Sequence, residues 1–183
     1  MRRRRIRAAI VLALAAVLAF VAWRGWYRPP RPASPDATAA DTVSAGIKAA
    51  RLYFASAGGD SLVSEAREMV ETQSLHDKVA GLVAELDRGP SKGGVAALPA
   101  GTVVLHVYLD DRGLMTLDLS RAFQQGFRGG SGGEYLAITS LVRTIGSNVP
   151  EAKRLLIVCG GAQIATLGGH FPLDRPIEIA EWP

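Results

Sequence analysis

The feature that most constrains this chain is its N-terminal segment. Met1–Arg7 reads MRRRRIR, and Ala8–Trp23 follows as AAIVLALAAVLAFVAW without a single charge. The apolar run is slightly shorter than the ~20 residues that cross a bilayer core. Arg7 and Arg24 lengthen the effective span by snorkelling toward the two interfaces, and Trp23, Trp26 and Tyr27 fall where an aromatic belt lies. The arginines hold their end in the cytoplasm, which exports everything after the segment. Residues 1–7 are therefore expected as a cytoplasmic basic flank and 8–27 as a single N-terminal transmembrane helix, so only the remainder can fold in water. A cleaved signal peptide is the competing reading. It lacks a small-x-small site directly after the apolar run, because Phe20 is large, and Ala37-Thr38-Ala39 lies far downstream. No cysteine follows the segment closely, which argues against lipid attachment there.

Charge follows the same division. Eight of the 21 Lys and Arg lie within Met1–Arg31, which has no Asp or Glu; the other 13 face all 17 acids and leave Pro32–Pro183 at −4. The basic pI belongs to the flank, and the acidic remainder opposes a phosphate-binding surface, so no nucleic-acid partner is expected. Residues 28–47 begin RPPRPASPDATAAD, a Pro/Ala-rich stretch without apolar periodicity, and read as an extended linker.

Residues 48–183 read as one α+β domain. Lys48–Ala55 alternates as a strand, and Ser61–Val70 is a more polar extended candidate. Ser74 opens a helix, with Asp77 three residues on as in a capping box; Leu75, Val79, Leu82, Val83 and Leu86 share one face, and Gly89-Pro90 ends it. Thr102–Asp110 and Leu114–Leu119 flank Asp110-Asp111-Arg112-Gly113 as a hairpin. After the glycine-rich Gly126–Gly133, Glu134 begins a second helix bearing Ile138, Leu141, Val142 and Ile145. Arg154–Cys159 is a buried strand, Gly160-Gly161 a tight turn, and Ala162–Leu167 its expected partner. The order predicts a mixed or antiparallel sheet with two helices packed on one face.

Chemistry is sparse. His76, His106 and His170 sit at no metal-ligand spacing. One cysteine permits neither an internal disulfide nor a multi-thiolate site, and Cys159 reads as a buried small hydrophobe. A Cys159–His170 pair has no local signature. Asp110 and Asp111 stand where a hairpin places turn residues, and a solvated turn does not raise a carboxyl pKa. The glycine-rich segments lack a phosphate-loop lysine, and HExxH is missing. No catalytic, cofactor-binding or metal residue is assigned, and no enzyme is expected.

Several segments together resemble the GerMN domain, the sporulation and spore-germination module. RLYFASAGGDSLVSEAREM is similar to its first strand pair, and SLHDKVAGLVAELDRGP to its helix with a Gly-Pro stop. Leu98, Pro99, Gly101, Thr102, Gly113, Asp118, Leu119, Ser120 and Phe123 follow its Leu-Pro-x-Gly-Thr and Asp-Leu-Ser pattern, and Leu167–His170 its Leu-Gly-Gly-His end. The resemblance spans Lys48–Ile179. Members often carry a lipoprotein cysteine and two tandem copies, unlike this chain, and Cys159-Gly160-Gly161 stands where a Val-Asp-Gly turn is usual. The resemblance implies a non-enzymatic envelope module that assembles with protein partners and with copies of itself; the N-terminal segment sets the expectation that it is held at the cytoplasmic membrane with its C-terminal domain outside. Peptidoglycan is the alternative partner. The quoted motif residues read as turn and strand-end chemistry serving the fold.

Overall fold

Alternation sets the first element. In the computed structural model, which describes residues 46–182, β1 (Ile47–Ala55) runs antiparallel to β2 (Leu62–Val70). Ala50, Leu52 and Phe54 enter the core from β1, while Arg51 stays outside. Gly59, at φ +69, turns the connecting loop, where Ser56 Oγ donates to Asp60 at 2.7 Å.

The helix α1 (Leu75–Arg88) starts where its cap requires, with Ser74 Oγ accepting the Asp77 N–H at 3.3 Å. Val79, Leu82, Val83 and Leu86 are its buried face, and Gly89, at φ +83, stops it. β3 (Val104–Leu109) and β4 (Leu114–Leu119) then form an antiparallel pair. Their turn is built by Asp110, whose Oδ1 accepts the N–H groups of Arg112 and Leu114 at 2.9 and 2.8 Å. Asp110 is thus occupied in a side-chain-closed turn, as its position predicts.

A short helix α2 (Ala122–Gln125) and the long α3 (Ser131–Asn148) carry the chain to β5 (Arg154–Cys159), which lies parallel to β4. A parallel neighbour needs such a crossover, and α3 supplies it. The short strands β6 (Ala162–Gln163) and β7 (Ile177–Glu178) pair antiparallel with opposite ends of β5. One face of this sheet, carrying Met115, Leu117, Leu119, Leu155 and Ile157, joins the buried faces of α1, α3 and β1 in a single core. On the other face Tyr108 is exposed and Thr116 and Leu156 are partly so.

The α+β class and the mixed sheet stand, with four differences in detail. First, the strands form two sheets: β1–β2 is separate from the five-stranded sheet ordered β3-β4-β5-β6, with β7 also on β5. The physical reason is on α3. Asn148 accepts the Arg51 N–H and donates to its carbonyl at 3.0 and 2.7 Å, Thr144 Oγ1 accepts the Tyr53 N–H at 3.2 Å, and Ser140 Oγ donates to the Tyr53 carbonyl at 2.5 Å. Side chains four residues apart share a helix face, so this polar stripe takes the edge of β1 that another strand would need. Second, only Ala162–Gln163 of the expected Ala162–Leu167 strand pairs with β5. Third, α3 begins at Ser131, three residues before Glu134, and so takes in Gly132 and Gly133 at its start. Fourth, α2 and β7 carry too few residues for periodicity to reveal them.

The expected transmembrane helix and most of the linker lie outside the described residues. Among the described residues, no helix is long and apolar enough to cross a membrane.

Candidate functional site

The residues that carry the sequence pattern come together as three hydrogen-bonded corners. In the first, Thr102 is fully buried and donates its hydroxyl to the Pro99 carbonyl at 2.5 Å. Ser120 Oγ accepts the Val103 N–H and donates to the Gly101 carbonyl, both at 3.2 Å. Gly101, at φ +78, gives its N–H to Asp87 of α1 at 2.8 Å. Leu-Pro-x-Gly-Thr and Ser120 thereby tie the start of β3 to the end of β4 and to α1.

The second corner joins Asp118 to the Gly160-Gly161 turn. Asp118 is buried, and its Oδ1 accepts the Gly161 N–H at 3.0 Å. Both glycines have positive φ, at +59 and +76, the conformation of a two-residue hairpin turn. Cys159 lies at the end of β5, nearly inaccessible. Burial, with the neighbouring Asp118 charge adding to it, pushes its thiol up to about 11. That opposes a thiolate nucleophile.

The third corner is organised by Glu134, a residue to which the sequence pattern assigns only a helix start. Its side chain is fully buried in the first turn of α3. Oε1 accepts the N–H groups of Leu167 and Phe171 at 3.1 and 3.3 Å; Oε2 accepts the His170 N–H at 3.0 Å and contacts His170 Nδ1 at 2.9 Å. Burial opposes ionisation, but the N–H of Gly168, the His170 ring and the N–H groups of Phe171 and His170 outweigh it and hold the carboxyl below its ordinary value. Gly168 is needed for this approach, since a Cβ there would lie 2.5 Å from the Phe127 ring and 3.0 Å from Glu134 Oε2. The Leu-Gly-Gly-His segment is a loop folded around a buried carboxylate. A lone glutamate after glycines reads as a solvated N-terminal acid, so its role was hidden.

The histidines stay apart in function. His76 Nε2 lies 3.3 Å from the Leu105 carbonyl, and His170 is engaged by Glu134, not by Cys159. Among the described residues, no three His, Cys, Asp or Glu side chains are grouped to hold a metal ion. A cleft of about 610 Å³ opens between the β1–β2 hairpin, α1 and the end of α3. Ala50, Met69 and Leu82 line it with Lys48, Lys78, Glu68, Glu71 and Asp77. That is a size and lining suited to a small molecule or a peptide side chain, with no nucleophile–base pair among its residues.

Solved structures of the same fold include a candidate lipoprotein from Clostridium perfringens, 21% identical over 73% of this chain and 88% of that one, with a TM-score of 0.51. The first GerMN domain of the sporulation protein GerM from Bacillus subtilis is 17% identical, covering 73% of this chain and 99% of that one, with a TM-score of 0.58. The tandem GerMN domains of the same protein give 0.59 at 17% identity, and there the match covers 73% of this chain but only 46% of theirs. Among curated proteins the sequence has no match. The family model described as sporulation and spore germination, Germane, matches residues 51–165, the span that contains the first two corners and Glu134 of the third. The chain belongs to the sporulation and spore germination family, and its folded part is a GerMN-like domain.

Proposed function

We propose that this protein is a membrane-anchored, extracytoplasmic assembly module of the cell envelope, without enzymatic activity. The observation that carries the reading is where the pattern residues spend their polar groups. Thr102, Asp118, Ser120 and the Leu167–His170 loop all bond to backbone or to Glu134. A chain that commits its distinctive polar residues to holding corners presents a rigid scaffold, and a scaffold acts through its surface. The raised thiol of Cys159 further supports a non-catalytic role. Anchoring through residues 8–27 rests on the arginine flank and the uncharged run that follows it. A similar fold in a candidate lipoprotein supports an envelope setting.

The test is in-cell crosslinking of the full-length protein, followed by affinity capture and mass spectrometry. A specific envelope protein or a self-ladder is expected; recovery of abundant membrane proteins alone would refute the reading. The 610 Å³ cleft favours a second reading, a peptidoglycan-binding accessory domain. Retention of the protein on purified sacculi, lost on Lys78→Glu at the cleft, is its expected result.

A further inference from the structure

The two edges of the β1–β2 hairpin are treated differently by the fold. On β1 the outward groups of Arg51 and Tyr53 are taken by Asn148, Thr144 and Ser140, and the Ala55 carbonyl by the Val95 N–H at 2.9 Å. Those bonds define the register. Arg51 faces Ala66 and Tyr53 faces Ser64, so these are the pairs that exchange no ladder bonds, and Ala66 and Ser64 turn their N–H and C=O groups away from β1. By the same alternation Leu62, Glu68 and Val70 do so too. Among the described residues, β2 has no other strand beside it, and no side chain reaches these groups. Ser64, Ala66, Glu68 and Val70 are exposed. Among the described residues this edge of nine residues is uncovered while the outward groups of Arg51 and Tyr53 on the opposite edge are capped, which makes it a template for strand addition.

The sequence of the edge selects its occupant. An antiparallel partner with the same sequence, centred on Ala66, sets Leu62 opposite Val70, Ser64 opposite Glu68 and Ala66 opposite Ala66. All of these have outward backbone groups. On the alternate face the pairing sets Glu65 opposite Arg67, twice, and Val63 opposite Met69. Glu65 and Arg67 already bond within one chain at 2.8 Å; across the two-fold they form a chequerboard of alternating charge. No like charges stand directly opposite, and the residue on the axis is small, which cross-strand pairing favours.

We propose that β2 is a self-association surface, and that two copies of this chain pair through it antiparallel about Ala66 into one four-stranded sheet. The inference rests on the assembly reading and deepens it by naming the partner. It is tested on the full chain in detergent and in native membranes. In a Cys159→Ala background, Ala66→Cys should give a covalent dimer with a short bismaleimide, because paired Cα atoms on a ladder sit ~5.5 Å apart; Ala84→Cys, on the exposed side of α1, should not. Ala66→Pro removes only an outward N–H and should leave the fold intact by circular dichroism while halving the mass found by light scattering. Ala66→Lys and Ala66→Glu should each be monomeric alone and form a heterodimer when mixed. A wild-type monomer, no Ala66→Cys dimer above the Ala84→Cys control, or no recovery in the mixed pair would overturn the proposal. If a photoreactive residue at position 66 then traps a different envelope protein, the second-copy assignment fails while the assembly reading stands; if it traps none, both fail.

Discussion

Replacing Glu134 by Gln removes one acceptor oxygen from the interior and substitutes a donor of nearly equal size. In the native protein each carboxylate oxygen serves two partners: Leu167 and Phe171 on one, the His170 N–H and ring on the other. With the amide nitrogen toward Leu167 and Phe171, two N–H donors lose their acceptor; turned toward His170, the ring can accept from the NH₂ in its other tautomer and one N–H, that of His170, is left facing it. A buried donor left unsatisfied costs ~1–3 kcal/mol. The amide takes the less costly orientation, so Glu134→Gln should lose about 1–3 kcal/mol of unfolding free energy, a sizeable part of a typical domain's stability. His170→Ala keeps all the backbone donors and should lose less than half of that. The assay is urea unfolding of the purified full chain followed by far-UV circular dichroism. The pH dependence supplies a second check. Because the folded carboxyl titrates below its ordinary value, the wild type gains stability from ionised Glu134 above the unfolded-state value. That gain disappears as pH falls through the folded value. The difference between wild type and Glu134→Gln should therefore be full at neutral pH and shrink in acid. A loss under about 0.5 kcal/mol at neutral pH, the range of an ordinary surface substitution, would refute the view that Glu134 organises the C-terminal loop.

Asn148→Ala should free both backbone groups of Arg51 to water and cost about 0.5–1.5 kcal/mol in the same assay, with increased hydrogen exchange at Arg51 as the local signature. Gly113→Ala forces a side chain into φ +79 and a Cβ to 3.0 Å from the Glu151 carbonyl, so it should destabilise by about 1 kcal/mol or more, seen as a lowered melting temperature. Cys159 should react with a thiol reagent only after denaturation, and Cys159→Ala should complement a deletion strain fully. Glu65, held at about 2 by Arg67 and then Ser91, should stay ionised through mildly acidic pH when its carboxyl carbon is followed by NMR.

Much of this fold was legible locally. Ser74 and Gly89 bracket α1 because capping depends on adjacent backbone groups. Asp110 and Gly113 close the β3–β4 turn, and Gly160-Gly161 turns the chain after β5, because such turns are decided by φ and by side chains two residues away. The core faces of α1 and β4 follow from periodicities of 3.6 and 2. The candidate corners were half legible: the pattern residues and their service to the fold could be named, but not what they bond to.

What remained hidden depends on partners distant in sequence. Ser140, Thr144 and Asn148 look like polar interruptions of an apolar helix, and only their meeting with Arg51 and Tyr53, some 90 residues earlier, makes them the cap of a strand edge. Glu134 looks solvated until the Leu167–His170 loop closes over it. The expected end of the β6 strand, Leu167, gives its N–H to this carboxylate and not to β5. The exposed edge of β2 is likewise a consequence of which strand α3 covers. By itself the sequence determined the elements, their turns and the charged, apolar start of the chain, since each of these depends on neighbours within a few residues. Tertiary structure alone decided how the strands divide into two sheets and which polar groups are buried, because a buried hydrogen bond needs both partners, and here the chain brings them from opposite ends of the domain.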